Sequence, residues 1–280
     1  YVRNAGSQGG KSDVFTYTLT DGDADSVTAK LTINIGDGTP TITLPTAGGD
    51  GTVVYEAGLP VRGAEPAGSN AAATTETTAG TIGFNSPDGV GSVSLGGHVL
   101  TTTSQTFAPE LINGVQGQLT AYYSVDATTG VGTIYYSYTL ADNTVGDSTS
   151  TSFAVVVTDT DGDPSAAGNL VINVVDDVPV ARNDVGTIAA AGTQTSGNVV
   201  TGSGAGSVAD TVGADGAAVS KVQFGATSVN VPATGTTIIN GAYGVLTLAA
   251  NGTYSYVRNA GSQGGKSDVF TYTLTDGDSD

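Results

Sequence analysis

Three short segments of this chain carry aspartates at alternating positions. These aspartates are Asp21, Asp23 and Asp25; Asp159, Asp161 and Asp163; and Asp276, Asp278 and Asp280. In a tight turn this spacing aims several carboxylate oxygens at one point, and Ca²⁺ accepts about six to eight oxygen ligands in a flexible geometry. Without a cation the like charges repel one another. The pattern therefore predicts calcium sites, although Asp and Gly also favour solvated turns that bind nothing.

Little in the sequence favours catalysis. The chain has no cysteine, and its one histidine, His98, is the only candidate base for a hydrolytic triad; it lies between two predicted strands, where we expect an ordinary loop or strand residue. Carboxylate pairs suited to glycoside hydrolysis arise by chance among 22 Asp, and the absence of Trp disfavours a sugar cleft. The Gly-rich stretch 202–207 is not followed by the Lys of a phosphate loop. We predict that the chain is not an enzyme.

The composition restricts the partners of the chain. Acidic residues number 26 against 8 basic ones, giving a formal net charge of -18, and only 4 of the acidic residues are Glu. Such a charge argues against nucleic acid, whose phosphates require clustered Lys and Arg. No apolar run is long enough to cross a membrane. Because Cys is absent, disulfides cannot brace the fold, and bound ions are the obvious alternative.

An internal repeat organises the elements that must hold these aspartates. Residues 1–23 recur letter for letter as 256–278, and 24 of 25 positions match at an offset of 255. Such similarity is typical of a recently duplicated unit. We therefore expect this chain to be one period, plus an overlap, of a longer array. A weaker similarity relates residues 14–40 to 153–179.

Alternating apolar and polar residues predict short β-strands throughout the chain. Two such runs around Asn251-Gly252 predict a hairpin over residues 245–257. Further strands are predicted at 31–35, 133–140, 153–158 and 170–175. Because alternate residues of a strand share a face, Tyr136 and Tyr138 should lie opposite Tyr135. Without any helical periodicity, the sequence predicts an all-β chain of tandem Ig-like antiparallel β-sandwiches.

Two stretches resemble known families. Residues 176–188 and 241–278 carry the hairpin pattern G-x-x-G-x-L-x-L-x-x-x-G-x-Y-x-Y and the turn pattern D-x-F-x-Y-x-x-x-D-G-D. They resemble the VCBS repeat of bacterial surface proteins, a cadherin-like β-sandwich. Residues 37–177, with VVYEAGLP (53–60) near the start and TDTDGDPS (158–165) near the end, are similar to the longer Ig-like extender repeat of large type I secreted, RTX-type adhesins. The resemblance implies an extracellular or cell-surface protein of attachment or biofilm formation, with any adhesive ligand bound elsewhere in the full protein.

The resemblance also suggests how the chain is divided. Residues 1–36 would be the closing strands of an incomplete VCBS-like unit. Residues 37–177 would be an Ig-like repeat, and residues 178–280 a VCBS-like unit without its last strand. In the first copy that strand is supplied by residues 26–35. We therefore expect head-to-tail contacts with neighbouring copies, either within one polypeptide or by exchange of strands between chains.

Candidate ligands also occur at the boundaries between the units. An EF-hand loop, with Gly at its sixth position and a distal Glu, is not present. A cadherin-like site, shared by one closing turn, the linker and the next unit, fits better. The linker candidates are Asp37 at the first junction and Asp176, Asp177, Asn183 and Asp184 at the second. Glu56 follows a predicted strand and is either a ligand at the first junction or an ordinary surface residue.

These observations favour a calcium-stiffened extender, or stalk, that gives a surface adhesin its reach. The alternative is a self-assembling structural protein, such as a filament, sheath or surface layer, built by strand complementation between copies. A carbohydrate-binding or hydrolytic module is a third class. Reach grows with the number of repeats, whereas a catalytic site gains little from serial copies. Near-identical repetition therefore favours the first two classes, and lateral contacts between chains would favour the second.

Overall fold

The computed structural model describes residues 1–4, 9–204, 206–262 and 264–277. In these ranges the chain consists of β-strands, turns and two 3-10 turns, Glu56–Gly58 and Ala71–Ala73, with no α-helix. The sheets are several and almost entirely antiparallel. The prediction of an all-β chain is confirmed. None of the described residues forms a helix long and apolar enough to cross a membrane.

The chain begins with an isolated hairpin. Strands β1 (Ser12–Thr20) and β2 (Ser26–Asn34) pair antiparallel along nine residues each. Every residue of the two strands is exposed except Ile33, which is half-buried. No third strand pairs with this hairpin in the part of the chain that the structure describes. Each strand of the hairpin therefore pairs along one edge only, and neither face of the hairpin is covered by another sheet among the described residues.

The next eleven strands form two sheets that pack face to face. Their bounds are β3 Thr41–Thr43, β4 Val53–Tyr55, β5 Thr77–Asn85, β6 Val90–Leu95, β7 His98–Val99, β8 Gln105–Thr106, β9 Glu110–Ile112, β10 Val115–Val125, β11 Val131–Leu140, β12 Ser148–Asp159 and β13 Gly168–Val175. One sheet has the order β3-β5-β11-β10-β8, with β9 also paired to β10, and the other has the order β4-β13-β12-β6-β7. Within these two sheets only β4 and β13 run parallel.

Alternation along the strands builds the core between these two sheets. Ile82 and Ile134 from the first sheet and Val155 and Ile172 from the second are fully buried in one cluster. On β11, Tyr136 and Tyr138 are buried in the same cluster. Their position confirms that these two tyrosines share a face.

The opposite face of β11 carries Tyr135. Tyr135 lies half-buried there and stacks on Tyr122 of the neighbouring strand, with ring centroids 4.8 Å apart. Because the two residues are direct partners across the sheet, this stacking is an ordinary cross-strand contact. The stacking explains why Tyr122 and Tyr135 lie side by side, and no bound ligand is needed to account for them.

The last seven strands form a second pair of sheets. Their bounds are β14 Gln194–Asn198, β15 Ala217–Phe224, β16 Thr227–Asn230, β17 Thr236–Asn240, β18 Gly244–Ala249, β19 Thr253–Arg258 and β20 Thr271–Asp276. The sheet orders are β14-β19-β18-β17 and β16-β15-β20. The hairpin predicted around Asn251-Gly252 is confirmed as β18 and β19, and Gly252 takes the positive φ of 83° that its turn requires.

Each pair of sheets has its own hydrophobic cluster. Val219 and Val222 of β15, Leu246 and Leu248 of β18 and Leu274 of β20 form the second cluster. Ala214, which precedes β15, belongs instead to the first cluster and is fully buried there. The segment that enters the second pair of sheets is therefore packed against the first pair, across the boundary predicted at residue 177.

Candidate metal centres

The central aspartate triplet forms a tight turn at the end of β12. The Oδ1 of Asp159 accepts hydrogen bonds from the N–H groups of Gly162 (3.0 Å) and Asp163 (2.7 Å). The N–H of Asp159 in turn donates to the carbonyl of Asp163 at 3.1 Å. Gly162 has a φ of 105°, which a residue with a Cβ rarely adopts. The alternating sequence thus folds locally into a turn organised by its first carboxylate.

Two residues from distant parts of the chain complete this group, which we call the first cluster. Its members are Asp37, Asp88, Asp159, Asp161 and Asp163. Ligand atoms of Asp37, Asp161 and Asp163 lie within 4.8 Å of one another, and so do those of Asp88, Asp159 and Asp161. Asp88 comes from the turn between β5 and β6, and Asp37 from the linker after β2. The first cluster therefore joins the hairpin linker to the central sheets.

Two of the five members of the first cluster are buried, Asp37 is exposed and the other two are half-buried, and part of the charge is uncompensated. Asp88 and Asp159 are only 1% and 2% exposed. Asp88 is satisfied by the guanidinium of Arg3 and by the N–H of Gly38 at 2.8 Å. In contrast, Asp159 Oδ2 and Asp161 Oδ1 are buried and accept no hydrogen bond from any described residue. Burial, together with the neighbouring Asp161, raises the pKa of Asp159. Buried carboxylate oxygens without donors are the arrangement that a bound cation would satisfy.

A second cluster lies at the other end of the central sheets and consists of Glu56, Asp176 and Asp215. One oxygen of each lies within 4.8 Å of the others. Glu56 opens the 3-10 turn after β4, Asp176 follows β13 directly, and Asp215 precedes β15. The second cluster therefore brings together the central sheets, the linker and the segment that enters the last pair of sheets.

Glu56 is the most deeply buried acidic group of the second cluster. Its side chain is fully buried, and its Oε1 accepts hydrogen bonds from the N–H (2.7 Å) and the hydroxyl (2.8 Å) of Thr144. Glu56 Oε2 and Asp176 Oδ2 have no donor among the residues that the structure describes. Burial, with smaller contributions from the charges of Asp215 and Asp176, raises the pKa of Glu56 to about 7. A cation at this point would lower the pKa again by compensating the charge.

The prediction that Glu56 serves the first junction is wrong. Strand β4 runs parallel to β13, with Tyr55 opposite Val175, so the next residues along the two strands are Glu56 and Asp176. The parallel register therefore carries Glu56 to the second junction. Alternating patterns in the sequence indicate strands, but they do not reveal which strands pair in parallel.

Two of the predicted linker carboxylates, those of Asp177 and Asp184, do not belong to either cluster. Both carboxylate oxygens of Asp177 accept hydrogen bonds from Ser69, one of them from its N–H at 2.7 Å. Asp184 accepts from the N–H of Val208 at 3.1 Å and lies 3.2 Å from the hydroxyl of Tyr272. Asn183 is exposed. The oxygens of Asp177 and Asp184 are thus used by the protein itself, in contacts that fasten the linker to loops on both sides.

The other two aspartate triplets differ from the central one. Asp21, Asp23 and Asp25 lie within 4.8 Å of one another, but all three are exposed. Hydrogen bonding to Asp23 and to the N–H of Asp25 lowers the pKa of Asp21. Of the C-terminal triplet, Asp276 ends β20, whereas Asp278 and Asp280 lie outside the described residues.

Sequence reasoning missed Asp88 and Asp215. Each lies beside a glycine in an ordinary turn sequence, SPDG or GADG, which predicts a turn and no more. Both join their clusters through contacts between residues far apart in the chain. No local signal distinguishes them from the other isolated aspartates.

Comparison with known proteins gives no further identification. Neither the models of known protein families nor the curated proteins match this chain.

Proposed function

We propose that this chain is part of the extracellular, calcium-stiffened stalk of a bacterial surface adhesin and is not an enzyme. The observation that carries the proposal is the position of the two carboxylate clusters, each of which has at least one buried member. The second cluster combines residues from two successive structural units with one from the linker between them, and the first cluster combines the linker after the hairpin with the central sheets. A cation held there would fix one unit relative to the next, which is what a spacer needs.

Calcium is the cation that these ligands suit best. Both clusters offer only carboxylate oxygens, which hard cations prefer, and no Cys is available for a softer metal. Asp159 and Glu56 are buried in their clusters, so their charges are costly unless compensated, whereas Asp88 is already paired with Arg3. Ca²⁺ tolerates irregular sets of ligands drawn from several loops, whereas Mg²⁺ demands near-octahedral geometry. Asp37, Asp159, Asp161 and Asp163 would hold one ion, and Glu56, Asp176 and Asp215 another.

The arrangement of the sheets supports a finer assignment within the same proposal. Two face-to-face pairs of antiparallel sheets, each with its own core, are what tandem Ig-like or cadherin-like sandwiches would give. With the repeat of 255 residues, we assign residues 37–177 to an adhesin-type extender repeat and residues 178–280 to a VCBS-like unit. Residues 1–36 would be the closing strands of another such unit.

The surroundings of the only histidine favour a structural role for it. His98 stacks on Phe107, with ring centroids 3.9 Å apart, and its Nε2 lies 3.1 Å from Glu110 Oε1. These contacts explain His98 as part of the packing at a sheet edge. They support the proposal that the chain acts as a spacer rather than as a catalyst.

Calcium titration followed by small-angle scattering tests the proposal. The radius of gyration of the chain should rise between excess chelator and millimolar Ca²⁺, because ions at the junctions hold the units in line. The double variant Asp161→Asn, Asp163→Asn should lose much of this rise. The matched variant Asp23→Asn, Asp25→Asn, in the exposed hairpin turn, should keep it. An unchanged radius of gyration in the unmodified chain would refute the stalk mechanism.

A self-assembling structural protein is the second candidate, and one observation favours it. The hairpin of β1 and β2 exposes Phe15, Tyr17, Leu19, Val27 and Leu31, each by 49% or more. An uncovered apolar face of this kind is typical of a surface that another chain covers.

A further inference from the structure

One loop of the central sheets lies against the unit that follows. It runs from residue 59 to residue 70, between the two 3-10 turns, and we call it the 59–70 loop. Leu59 is fully buried in the core of the central sheets, and its carbonyl accepts a hydrogen bond from the N–H of Gly68 at 2.9 Å. The N–H of Asn70 donates to the carbonyl of Ala57 at 2.8 Å. Both ends of the loop are therefore fixed to the central sheets.

The first contact of the 59–70 loop is with the linker that follows β13. Ser69 donates to both carboxylate oxygens of Asp177, one through its N–H at 2.7 Å and the other through its hydroxyl. Asp177 is only 9% exposed, and a buried carboxylate is costly unless donors satisfy it. The loop thus holds the residue next to Asp176 of the second cluster.

The second contact is made by Arg62, the only Lys or Arg between residues 31 and 181. Its Nη2 donates to the carbonyl of Ala214 at 2.9 Å, and its Nε donates to Asp142 Oδ1 at 3.0 Å. The guanidinium carries five donors in a rigid fork, so one side chain can bind a carboxylate and a backbone carbonyl at once. Arg62 therefore ties the central sheets to the residue directly before Asp215 of the second cluster.

The segment that Arg62 binds is shaped to lie against the central sheets. We call residues 211–216 the entry segment, because they lead into β15. Gly213 and Ala214 are buried, and Ala214 belongs to the core of the central sheets. Gly213 has a φ of 71°, and a Cβ there would come within 2.1 Å of the carbonyl oxygen of Asp177. A residue with a side chain would therefore not allow this close approach.

We propose that the 59–70 loop is a docking surface for the entry segment of the following unit, and that Arg62 keeps the second junction closed without a cation. When they are ionised and no cation is bound, the carboxylates of Glu56, Asp176 and Asp215 repel one another, which favours opening of this junction. The loop holds the residues beside Asp176 and Asp215 and so opposes the repulsion.

Every contact used by this docking is between groups of the protein itself, so the docking does not depend on the proposed calcium sites. A cation at the second cluster would then bind across a junction that is already closed. The rise in the radius of gyration expected on adding Ca²⁺ would come from the first junction.

Distances between spin labels on the two units test this docking, because the natural chain contains no Cys. The labels are attached at Thr81→Cys on β5 and at Ser228→Cys on β16, where both positions are exposed. Double electron–electron resonance in excess chelator gives the distribution of distances between them. The variants are Arg62→Gln and Arg62→Lys. The matched control is Arg182→Gln, which removes the same charge from an exposed arginine of the linker.

We expect a narrow distribution of distances in the unmodified chain and in Arg182→Gln. In Arg62→Gln and Arg62→Lys the width should increase by at least about twofold, because linked domains move relative to each other unless a contact holds them. Arg62→Lys keeps the charge but lacks the guanidinium fork, so this variant decides the question if Arg62→Gln does not fold.

Three results would overturn the proposal. A wide distribution in the unmodified chain that narrows only when Ca²⁺ is added would show that the cation closes the junction. A distribution in Arg62→Lys as narrow as that of the unmodified chain would show that the guanidinium fork is not needed. Equal widening in Arg182→Gln and Arg62→Gln would show a general effect of charge.

Discussion

Two turns of this molecule share a sequence pattern but differ in their surroundings. The hairpin turn DGDAD begins at Asp21, and the central turn DTDGD begins at Asp159. In both, the first aspartate accepts a hydrogen bond from the N–H four residues later, at 2.9 Å from Asp25 and at 2.7 Å from Asp163. Its own N–H donates to the carbonyl of that residue, at 3.0 and 3.1 Å. The local structure of the two turns is therefore nearly the same.

The pKa of the first aspartate is shifted in opposite directions in the two turns. Hydrogen bonds lower the pKa of Asp21, which is fully exposed. Burial raises the pKa of Asp159, with the nearby Asp161 adding to the shift. The difference arises from the neighbours, since the central turn packs beside the buried Asp88 and near Asp37. A shared sequence pattern thus specifies the turn, whereas tertiary packing decides whether its carboxylates are buried.

The largest effect is expected from neutralising the central turn. In the double variant Asp161→Asn, Asp163→Asn, much of the stabilisation by Ca²⁺ should disappear. At a free Ca²⁺ concentration about 100 times the dissociation constant, one site that binds only the folded state contributes about 2.7 kcal/mol. Urea unfolding with Ca²⁺ and with chelator measures this difference. A variant that keeps the full calcium effect would show that the first cluster is not a binding site.

The second largest effect concerns Glu56 at the second cluster. In chelator, Glu56→Gln should stabilise the fold by about 1 kcal/mol or more, because it removes a buried charge whose Oε2 has no donor. In Ca²⁺ the same variant should be less stable than the unmodified chain, because a ligand is lost. Thermal unfolding in both conditions detects the reversal, and Glu110→Gln, a more exposed glutamate, is the matched control. If Glu56→Gln were more stable than the unmodified chain in both conditions, or less stable in both, the assignment of Glu56 as a cation ligand would be contradicted.

The raised pKa of Glu56 predicts a dependence of stability on pH. The pKa rises from 4.5 to about 7 on folding, so between these values the folded state holds more protons than the unfolded state. In the presence of chelator, the contribution of Glu56 to the free energy of unfolding is therefore fully present below pH 4.5. It is lost as the pH rises through about 7. Urea unfolding at several pH values should show this fall relative to Glu56→Gln. Parallel curves for the two proteins would contradict the raised pKa.

The smallest effect is expected at the exposed turn. In the double variant Asp23→Asn, Asp25→Asn the free energy of unfolding should change by less than about 0.5 kcal/mol, with or without Ca²⁺, because exposed charges are screened by water and salt. The measurement is the same urea unfolding as for the central turn. A loss of calcium stabilisation equal to that of the central variant would remove the distinction between the two turns.

Local features of this molecule could be predicted from its sequence, and contacts between distant residues could not. Alternation gave the faces of Tyr136 and Tyr138, and Asn251-Gly252 gave the β18–β19 hairpin, because both depend on neighbours in the sequence. The central aspartate turn is local in the same sense. Asp88 and Asp215 were missed because packing alone brings them to the clusters. Glu56 was placed at the wrong junction because its position depends on the parallel pairing of β4 with β13.

Direct calcium binding to the unmodified chain tests the central claim, that buried carboxylate clusters at the junctions hold cations while the exposed turn does not. Isothermal titration calorimetry in a chelator-stripped buffer gives the number of ions bound per chain. The account predicts at least one ion for each buried cluster. It also predicts that Asp161→Asn with Asp163→Asn, and separately Glu56→Gln, each lose one ion, while Asp23→Asn with Asp25→Asn loses none. An unmodified chain that binds no Ca²⁺, or that loses its ions only when Asp23 and Asp25 are changed, would contradict the account.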